Sequence, residues 1–380
     1  MSPDQRYDLV VALSYYTPYV SGLTNVARDV AEFAARSGLS VAVVTSQHVT
    51  TAPRRQILNG VFVYREPVIA HLDRAVLSPR FLATTVRLGR RSRMLNLHMP
   101  LPEAGAIALL CPSTPLVLTY QCDPPEGMGG RNEMIRRMLD TSSRVAINRA
   151  SIVVPSTLDY ARHSRILKSV ETDRLVPIPP PTKSRAGGCA SYRETAGTHV
   201  GFMGRITSEK GLDVLINAFL TQADSTDRLL IAGEGEVLAG GPAKESAMRA
   251  ADGDERVRFL GHIPEHKVAD FYASLDIFAL PSTNSFEAFG IVQVEALLSG
   301  VPVIASDLPG VRVPVETTGG GRVVSPGDVA GLTRALRELR DQPPERAAVM
   351  VNANKAFSAN RSLDPYLDLH RRFARELAPQ

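Results

Sequence analysis

Pro281-Ser-Thr-Asn-Ser-Phe-Glu287-Ala-Phe-Gly290-Ile-Val-Gln-Val-Glu295-Ala-Leu-Leu-Ser-Gly300-Val-Pro302 is the most informative stretch of this chain. The apolar run Ile277–Leu280 before it reads as a buried strand, and Val303–Ala305 after it as the next one. Between them a polar loop leads into a helix from about Ile291, which Gly300 ends. Strand, loop, helix and strand make the repeating unit of a parallel sheet covered by helices. In such sheets ligands sit beyond the carboxyl ends of the strands. The amides of Ala288, Phe289, Gly290 and Ile291 at the helix start would therefore meet phosphate or sugar oxygens. Glu287 stands on the loop beside them, and Glu295 lies one turn inside, about 6–8 Å further along the axis. An acidic residue early in a helix is ordinarily solvated, but a pair on one loop–helix element suits a ligand contacted at two points.

Upstream stands His199-Val-Gly-Phe-Met-Gly204-Arg205-Ile-Thr-Ser-Glu-Lys210-Gly211-Leu212. Here a strand ends in glycine, and Arg205 and Lys210 bracket a short loop before a helix on Leu212, Leu215, Ile216 and Phe219. Two cations so placed would clamp a diphosphate, arginine as a fork and lysine as a point charge. Leu229–Ala232, Val257–Leu260 and Arg322–Val324 read as further strands of the same half.

The first half has the same rhythm. Strands are expected at Asp8–Leu13, Val41–Thr45, Leu95–His98, Leu116–Tyr120 and Ile152–Pro155, with a helix carrying Leu23, Val26, Ala27, Val30, Ala31 and Ala34. Gly22 opens that helix, where free amides favour an anion; a simple turn glycine is the alternative. Val176-Pro-Ile-Pro-Pro-Pro-Thr182 and the glycines that follow read as a linker. The expected organisation is α/β throughout: a Rossmann-like domain over 1–182 joined by a C-terminal helix over 362–380, and a second over 190–361.

A length of 380 residues suits two domains, and 44% hydrophobic with 22% charged residues is ordinary for globular chains. Three cysteines, Cys111, Cys122 and Cys189, are too few and too far apart for a disulfide scaffold or a Cys-x-x-Cys site. No apolar run reaches membrane-spanning length, and the N-terminus lacks the pattern of a signal peptide. A cytoplasmic protein is expected. The net charge of +4 hides an asymmetry: residues 1–190 carry 23 Lys and Arg against 14 Asp and Glu, and residues 191–380 carry 20 against 25. The halves are thus +9 and −5, which points to an anionic partner for the first.

Taken together, Gly204-Arg205-x4-Lys210-Gly211 followed by Glu287-x7-Glu295, with Gly290 and Gly300-x-Pro302, resembles family 4 of the retaining GT-B glycosyltransferases. The resemblance spans nearly the whole chain and implies two facing doubly wound domains with a cleft between them. It implies that Arg205 and Lys210, with the amide of Gly22, hold the diphosphate of a nucleoside-diphosphate sugar. Glu287 would bind the transferred hexosyl group, with Ala288, Phe289, Gly290 and Ile291 beside it. Glu295 would take the ribose, His262 and Ile263 the base, and Gly235 would lie near the nucleotide.

The resemblance also implies front-face displacement, in which the leaving diphosphate is stabilised by cations and amides and no metal or other cofactor is needed. Asp252-Gly253-Asp254 superficially matches a metal-binding Asp-x-Asp and reads as a surface turn. Many members carry a histidine where this chain has Gln121, in Thr119-Tyr120-Gln121-Cys122-Asp123. Glutamine exchanges hydrogen bonds but is no base near neutral pH, so Gln121 would position, and any base would be Asp123 or His98. Acceptor-side candidates are Tyr15, Tyr16, Thr24, Asn25, His98, Gln121 and Asp123. The acceptor class, whether sugar, natural product, glycan or lipid-linked, stays open. So do two rivals: a non-catalytic nucleotide-sugar-binding subunit and a nucleotide-sugar epimerase.

Five arginines between Arg80 and Arg93 alternate with Phe81, Leu82, Val86 and Leu88. They read either as a helix docking peripherally on anionic lipid at the inner membrane face or as a sheet-covering helix with a solvated side. No nucleic-acid-binding motif accompanies them.

Overall fold

The apolar runs of the first half pair in a computed structural model that describes residues 5–72, 75–124, 130–235 and 242–376. They are β1 (Leu9–Leu13), α1 (Gly22–Arg36), β2 (Val41–Ser46), β3 (Arg55–Leu58), β4 (Val61–Glu66), and the short hairpin β5 (Ala70–Leu72) and β6 (Ala75–Leu77). Then follow α2 (Pro79–Gly89), β7 (Met94–Met99), α3 (Ala104–Leu110), β8 (Leu116–Tyr120), α4 (Gly130–Arg149), β9 (Ile152–Pro155) and α5 (Leu158–His163). The sheet order is β3-β4-β2-β1-β7-β8-β9, parallel except for the antiparallel β3–β4 pair.

The second half supplies β10 (His199–Met203), α6 (Leu212–Gln222), β11 (Arg228–Ala232), α7 (Pro242–Ala251), β12 (Val257–Gly261), α8 (Val268–Ala273) and β13 (Ile277–Leu280). It continues through α9 (Ile291–Leu298), β14 (Val303–Ser306), α10 (Val313–Thr318), β15 (Gly321–Val324), α11 (Val329–Asp341) and α12 (Arg346–Phe357). Its all-parallel sheet runs β12-β11-β10-β13-β14-β15. The last helix, α13 (Ala359–Glu376), returns to the first unit, which comprises residues 1–181 and 360–380; the second is 182–359. Residues 377–380 of the expected C-terminal helix lie outside the described part.

Burial explains the near-continuous apolar strands. In β13, Ile277 and Ala279 join one core layer, with Leu215, Ile216 and Phe219 of α6. Phe278 and Leu280 join the opposite layer, with Phe271, Leu275 and Val294. Side chains alternate across the sheet, so both faces need apolar residues. Each fully buried Phe or Leu stabilises the fold by about 1.5–3 kcal/mol.

In the first unit β4 ends on two buried charges. Arg65 donates to the carbonyls of Pro53 and Thr17, each at 2.8 Å, and so ties together two loops. Glu66 accepts from Arg55 at 2.6 Å and from Thr84 of α2 at 2.7 Å. The same helix turns Phe81 and Leu88 inward, leaves Arg80, Arg87 and the capping Arg90 exposed, and packs against β1, β2 and β4. Its apolar side therefore serves the sheet, as the sheet-covering reading requires.

Candidate active site

In the second unit the strand order reverses between β10 and β13, which are direct neighbours. A ligand crevice is expected at such a switch point, beyond the carboxyl ends of the two strands. The loop after β10 carries Arg205 and Lys210, and the loop after β13 carries Glu287. The loops dock: Thr283 N–H donates to the Glu209 carbonyl at 2.8 Å. Gly211, at φ +61°, makes the approach possible, because a Cβ there would lie 2.2 Å from the Pro281 carbonyl oxygen.

As a result Lys210 and Glu287, 77 residues apart in sequence, form a direct ion pair with both side chains largely shielded from water. Arg205 is exposed on the same loop. Neighbouring strand ends are stitched alongside. Gly204 N–H donates to Ala232, Gly233 N–H to Gly261, and Ile206 N–H to Glu234, at 2.8–3.0 Å. Ile206 also bridges to Gly235. Beyond β12, His262 is exposed and Ile263 is buried in the core.

Gly290 precedes α9 at φ +81°, where a Cβ would lie 2.3 Å from Leu280 Cδ2, so glycine suits both the backbone and the space. Phe289 turns its ring into the core against Phe357. Its contribution to a ligand is therefore confined to the backbone, as is that of buried Ala288. Ile291 begins the helix and is half-buried. Glu295 is only 8% exposed. Arg185 donates to its Oε1 from Nε at 3.0 Å, with Nη2 in ion-pair contact with the same oxygen at 2.9 Å, and the Tyr272 hydroxyl lies 3.1 Å from Oε2. Burial raises the carboxyl pKa from its ordinary value, against Arg185 and Tyr272, which lower it.

In the first unit the switch point lies between β1 and β7. Gly22 is exposed as the first residue of α1, and Ser21 caps the helix by accepting from Thr24 N–H at 3.2 Å. Tyr15 and Asn25 are half-buried, and Gln121 lies near, its Nε2 donating to the Leu23 carbonyl at 3.4 Å.

The other acceptor-side candidates face inward, unlike the sequence expectation. Tyr16 is buried, and buried Thr24 donates its hydroxyl to the Tyr15 carbonyl at 3.2 Å. His98 has no exposed surface; burial, with His370 of α13 nearby, pushes its pKa down to about 3, so it is a neutral core residue. Asp123 accepts from Tyr120 and Ser164 hydroxyls, each at 2.7 Å, and from the Arg165 amide at 3.0 Å. With both oxygens so engaged, it is a structural anchor rather than an available base. In the Asp252–Asp254 turn, Asp254 pairs with Arg256 at 2.8 Å. Among the described residues no cluster of three or more His, Cys, Asp or Glu is placed to hold a metal ion.

Residues 21–181 match the family model described as a glycosyl transferase 4-like domain, and residues 197–342 match that of glycosyl transferases group 1. The chain belongs to the group 1 glycosyltransferases. A D-inositol 3-phosphate glycosyltransferase of Corynebacterium kroppenstedtii is 34% identical over 46% of this chain and 41% of its own. A GDP-mannose-dependent mannosyltransferase of Corynebacterium glutamicum, acting on a monoacylated phosphatidylinositol monomannoside, is 34% identical over 47% of each chain. The chain thus aligns with about half the length of these curated relatives. Among solved structures, sucrose-phosphate synthase of Thermosynechococcus elongatus has a TM-score of 0.76 at 17% identity, covering 97% of this chain and 98% of that one. Anabaena HepE, solved with UDP-glucose, has a TM-score of 0.70 at 19% identity, covering 97% and 100%. At these identities the likeness shows the fold, which is GT-B.

Within this glycosyltransferase fold the structure adds residues that spacing did not flag. Arg185 and Tyr272 flank Glu295, and no local pattern ties Arg185 to a carboxylate 110 positions away. Tyr15, Tyr19 and His48 bring three rings into mutual contact, with centroids 4.8–4.9 Å apart, in the loops that follow β1 and β2. The aromatic Tyr15-Tyr16-x-x-Tyr19 run was the available signal, but His48 comes from a different strand end.

Proposed function

We propose that this protein is a retaining glycosyltransferase that moves a hexosyl sugar from a nucleoside diphosphate to an acceptor recognised by the first unit. The observation that carries the reading is the Lys210–Glu287 pair at the switch point of the second unit. A cation and a carboxylate side by side fit the two ends of the bond to be broken, one at the leaving phosphate and one at the sugar hydroxyls. The diphosphate falls to Arg205 and Lys210, the ribose to Glu295 and the base to the His262–Ile263 loop. The relatives' names, one of them GDP-mannose-dependent, and the UDP-glucose bound to HepE support a nucleotide-sugar donor.

In the proposed step the sugar C1–phosphate oxygen bond breaks, and the acceptor oxygen bonds C1 on the same face. The acceptor proton passes to the departing phosphate, which the two cations stabilise. Neither a metal nor a side-chain base is required, which suits Gln121 as a positioning group. Incubation with UDP-, GDP- and ADP-sugars and with soluble and lipid-linked acceptors should give donor-dependent product, undiminished by EDTA. NMR should show the donor's anomeric configuration retained. Inverted product would overturn the mechanism, and binding without product would favour a non-catalytic subunit.

Arg87 of α2 and Arg90 and Arg91 just after it carry a second element of the proposal, because they border a shallow hollow lined by Leu82, Val86 and Leu110. Peripheral contact with anionic lipid there predicts co-sedimentation with phosphatidylglycerol vesicles, lost on Arg87→Glu/Arg90→Glu substitution. Equal sedimentation of the variant would remove this surface from consideration. No helix among the described residues is long and apolar enough to cross a membrane.

A further inference from the structure

Glu295 presents a physical problem. A carboxylate this buried is costly to keep charged unless it is paired and hydrogen-bonded. Its countercharge comes neither from α9 nor from the motif loops but from Arg185, four residues into the second unit and just beyond the proline run. The guanidinium is held on both sides: Nε donates to Glu295 Oε1, Nη2 lies 2.9 Å from the same oxygen, and Nη1 and Nη2 donate to the two oxygens of Glu265 at 2.7 and 3.4 Å. Glu265 is mostly exposed, so it steers the fork without competing from inside. On the other oxygen the Tyr272 hydroxyl is shared with the Val292 carbonyl, also at 3.1 Å. A carboxylate has about four acceptor positions. Arg185 takes one on Oε1 and Tyr272 one on Oε2, so each oxygen keeps capacity for a further donor.

We propose that Arg185 is a positioning residue for Glu295, keeping that carboxylate charged and aimed so that it accepts the hydroxyls of a nucleotide ribose. The inference rests on the assignment of Glu295 to the ribose. The groups that bear on Glu295 are Arg185 and Tyr272, which favour its charged form, and Glu265, which opposes it. Without Arg185 the remaining balance is burial and Glu265 against one hydroxyl, so the carboxylate takes up a proton at higher pH. The ribose then loses a charged acceptor, and hydrogen bonds to charged groups are about twice as strong as neutral ones.

The test is calorimetric titration of UDP, GDP and ADP between pH 5 and 8 into the wild-type protein and four variants: Arg185→Ala, Arg185→Lys, Glu295→Gln and Arg185→Ala/Glu295→Gln. Arg185→Ala should bind the preferred nucleotide about tenfold more weakly at pH 7. The midpoint at which affinity falls on acidification should move to higher pH. Arg185→Lys restores the charge but not the fork and should be intermediate; it also serves if the alanine variant does not fold. In the Glu295→Gln background, Arg185→Ala should add little.

Unchanged or tighter binding by Arg185→Ala, with an unmoved pH midpoint, would overturn the proposal and make Arg185 a staple or a plug. Wild-type affinity in Glu295→Gln would instead remove the ribose assignment itself. Failure of all three nucleotides to bind the wild-type protein would overturn both.

Discussion

Lys210→Ala is expected to lower transfer by about 10²–10³-fold, the usual effect of removing one preorganised group that stabilises charge developing in a transition state. In the proposed reaction the lysine meets the departing diphosphate, and its Nζ is held by Glu287. The loss should therefore fall on kcat more than on donor affinity. Stability should fall by about 1–3 kcal/mol, because Glu287 is left unpaired while largely shielded from water. Turnover and urea unfolding of the same preparation separate the two effects. Glu287→Ala should match it in activity, and the double variant should lose much less than the product of the two single losses. Wild-type turnover in Lys210→Ala would remove this pair from the reaction.

Gly211→Val should reduce both stability and activity, because this residue lets the two motif loops touch. A valine Cβ would lie 2.2 Å from the Pro281 carbonyl and 3.0 Å from Thr283 Cγ2, at a φ of +61° that β-branched residues avoid. The loops must separate, with loss of the Thr283–Glu209 hydrogen bond and of the alignment between Lys210 and Glu287. A cost of about 2–4 kcal/mol is expected in urea unfolding. Activity should fall about 10²-fold, as displacements near 1 Å do to reacting groups. A variant with wild-type stability and turnover would mean that the close approach is dispensable.

The strands most visible in sequence are those with both faces covered. Leu116–Tyr120, Ile152–Pro155 and Ile277–Leu280 run as read, and the others differ by one or two terminal residues. The β3–β4 hairpin escaped because β3 is a short edge strand, Arg-Gln-Ile-Leu, and β4 ends in Arg65-Glu66, which look like loop residues. Its turn did carry a signal: Asn59-Gly60, both at positive φ, is a strong hairpin pair. Arg65 and Glu66 are held in the interior by Thr17, Pro53, Arg55 and Thr84, and those partners lie at least ten residues away.

The two motif passages of the second unit were legible for a related reason. Gly204-Arg205-x4-Lys210-Gly211 and Glu287-x7-Glu295 are local patterns, each confined to one strand–loop–helix passage whose backbone dictates where its side chains stand. The side-chain directions of the candidates in the first unit were not. Tyr16, Thr24, His98 and Asp123 sit at strand ends or helix starts, as sought, yet their side chains turn inward or are fully engaged. Position on a strand predicts height along the sheet, and the direction of a residue after the last ladder bond depends on what packs above it. His98 is still within the β7–β8 ladder, opposite Thr119, and its burial depends on a neighbourhood that includes His370 of α13, more than 270 residues later.

From its sequence alone this protein is legible as two α/β units divided near the proline-rich segment, with a basic first half and a cationic and acidic pair of motifs in the second. Periodicity and short motifs suffice for that, because strand alternation and loop–helix geometry are local properties of the chain. Only the tertiary structure decided that Lys210 and Glu287 touch, that Arg185 supplies the countercharge of Glu295, and that His98 and Asp123 belong to the interior. Each of those facts depends on contacts between residues 41–272 positions apart. Such contacts are set by strand order and by the burial of charge, neither of which leaves a periodic trace in the sequence.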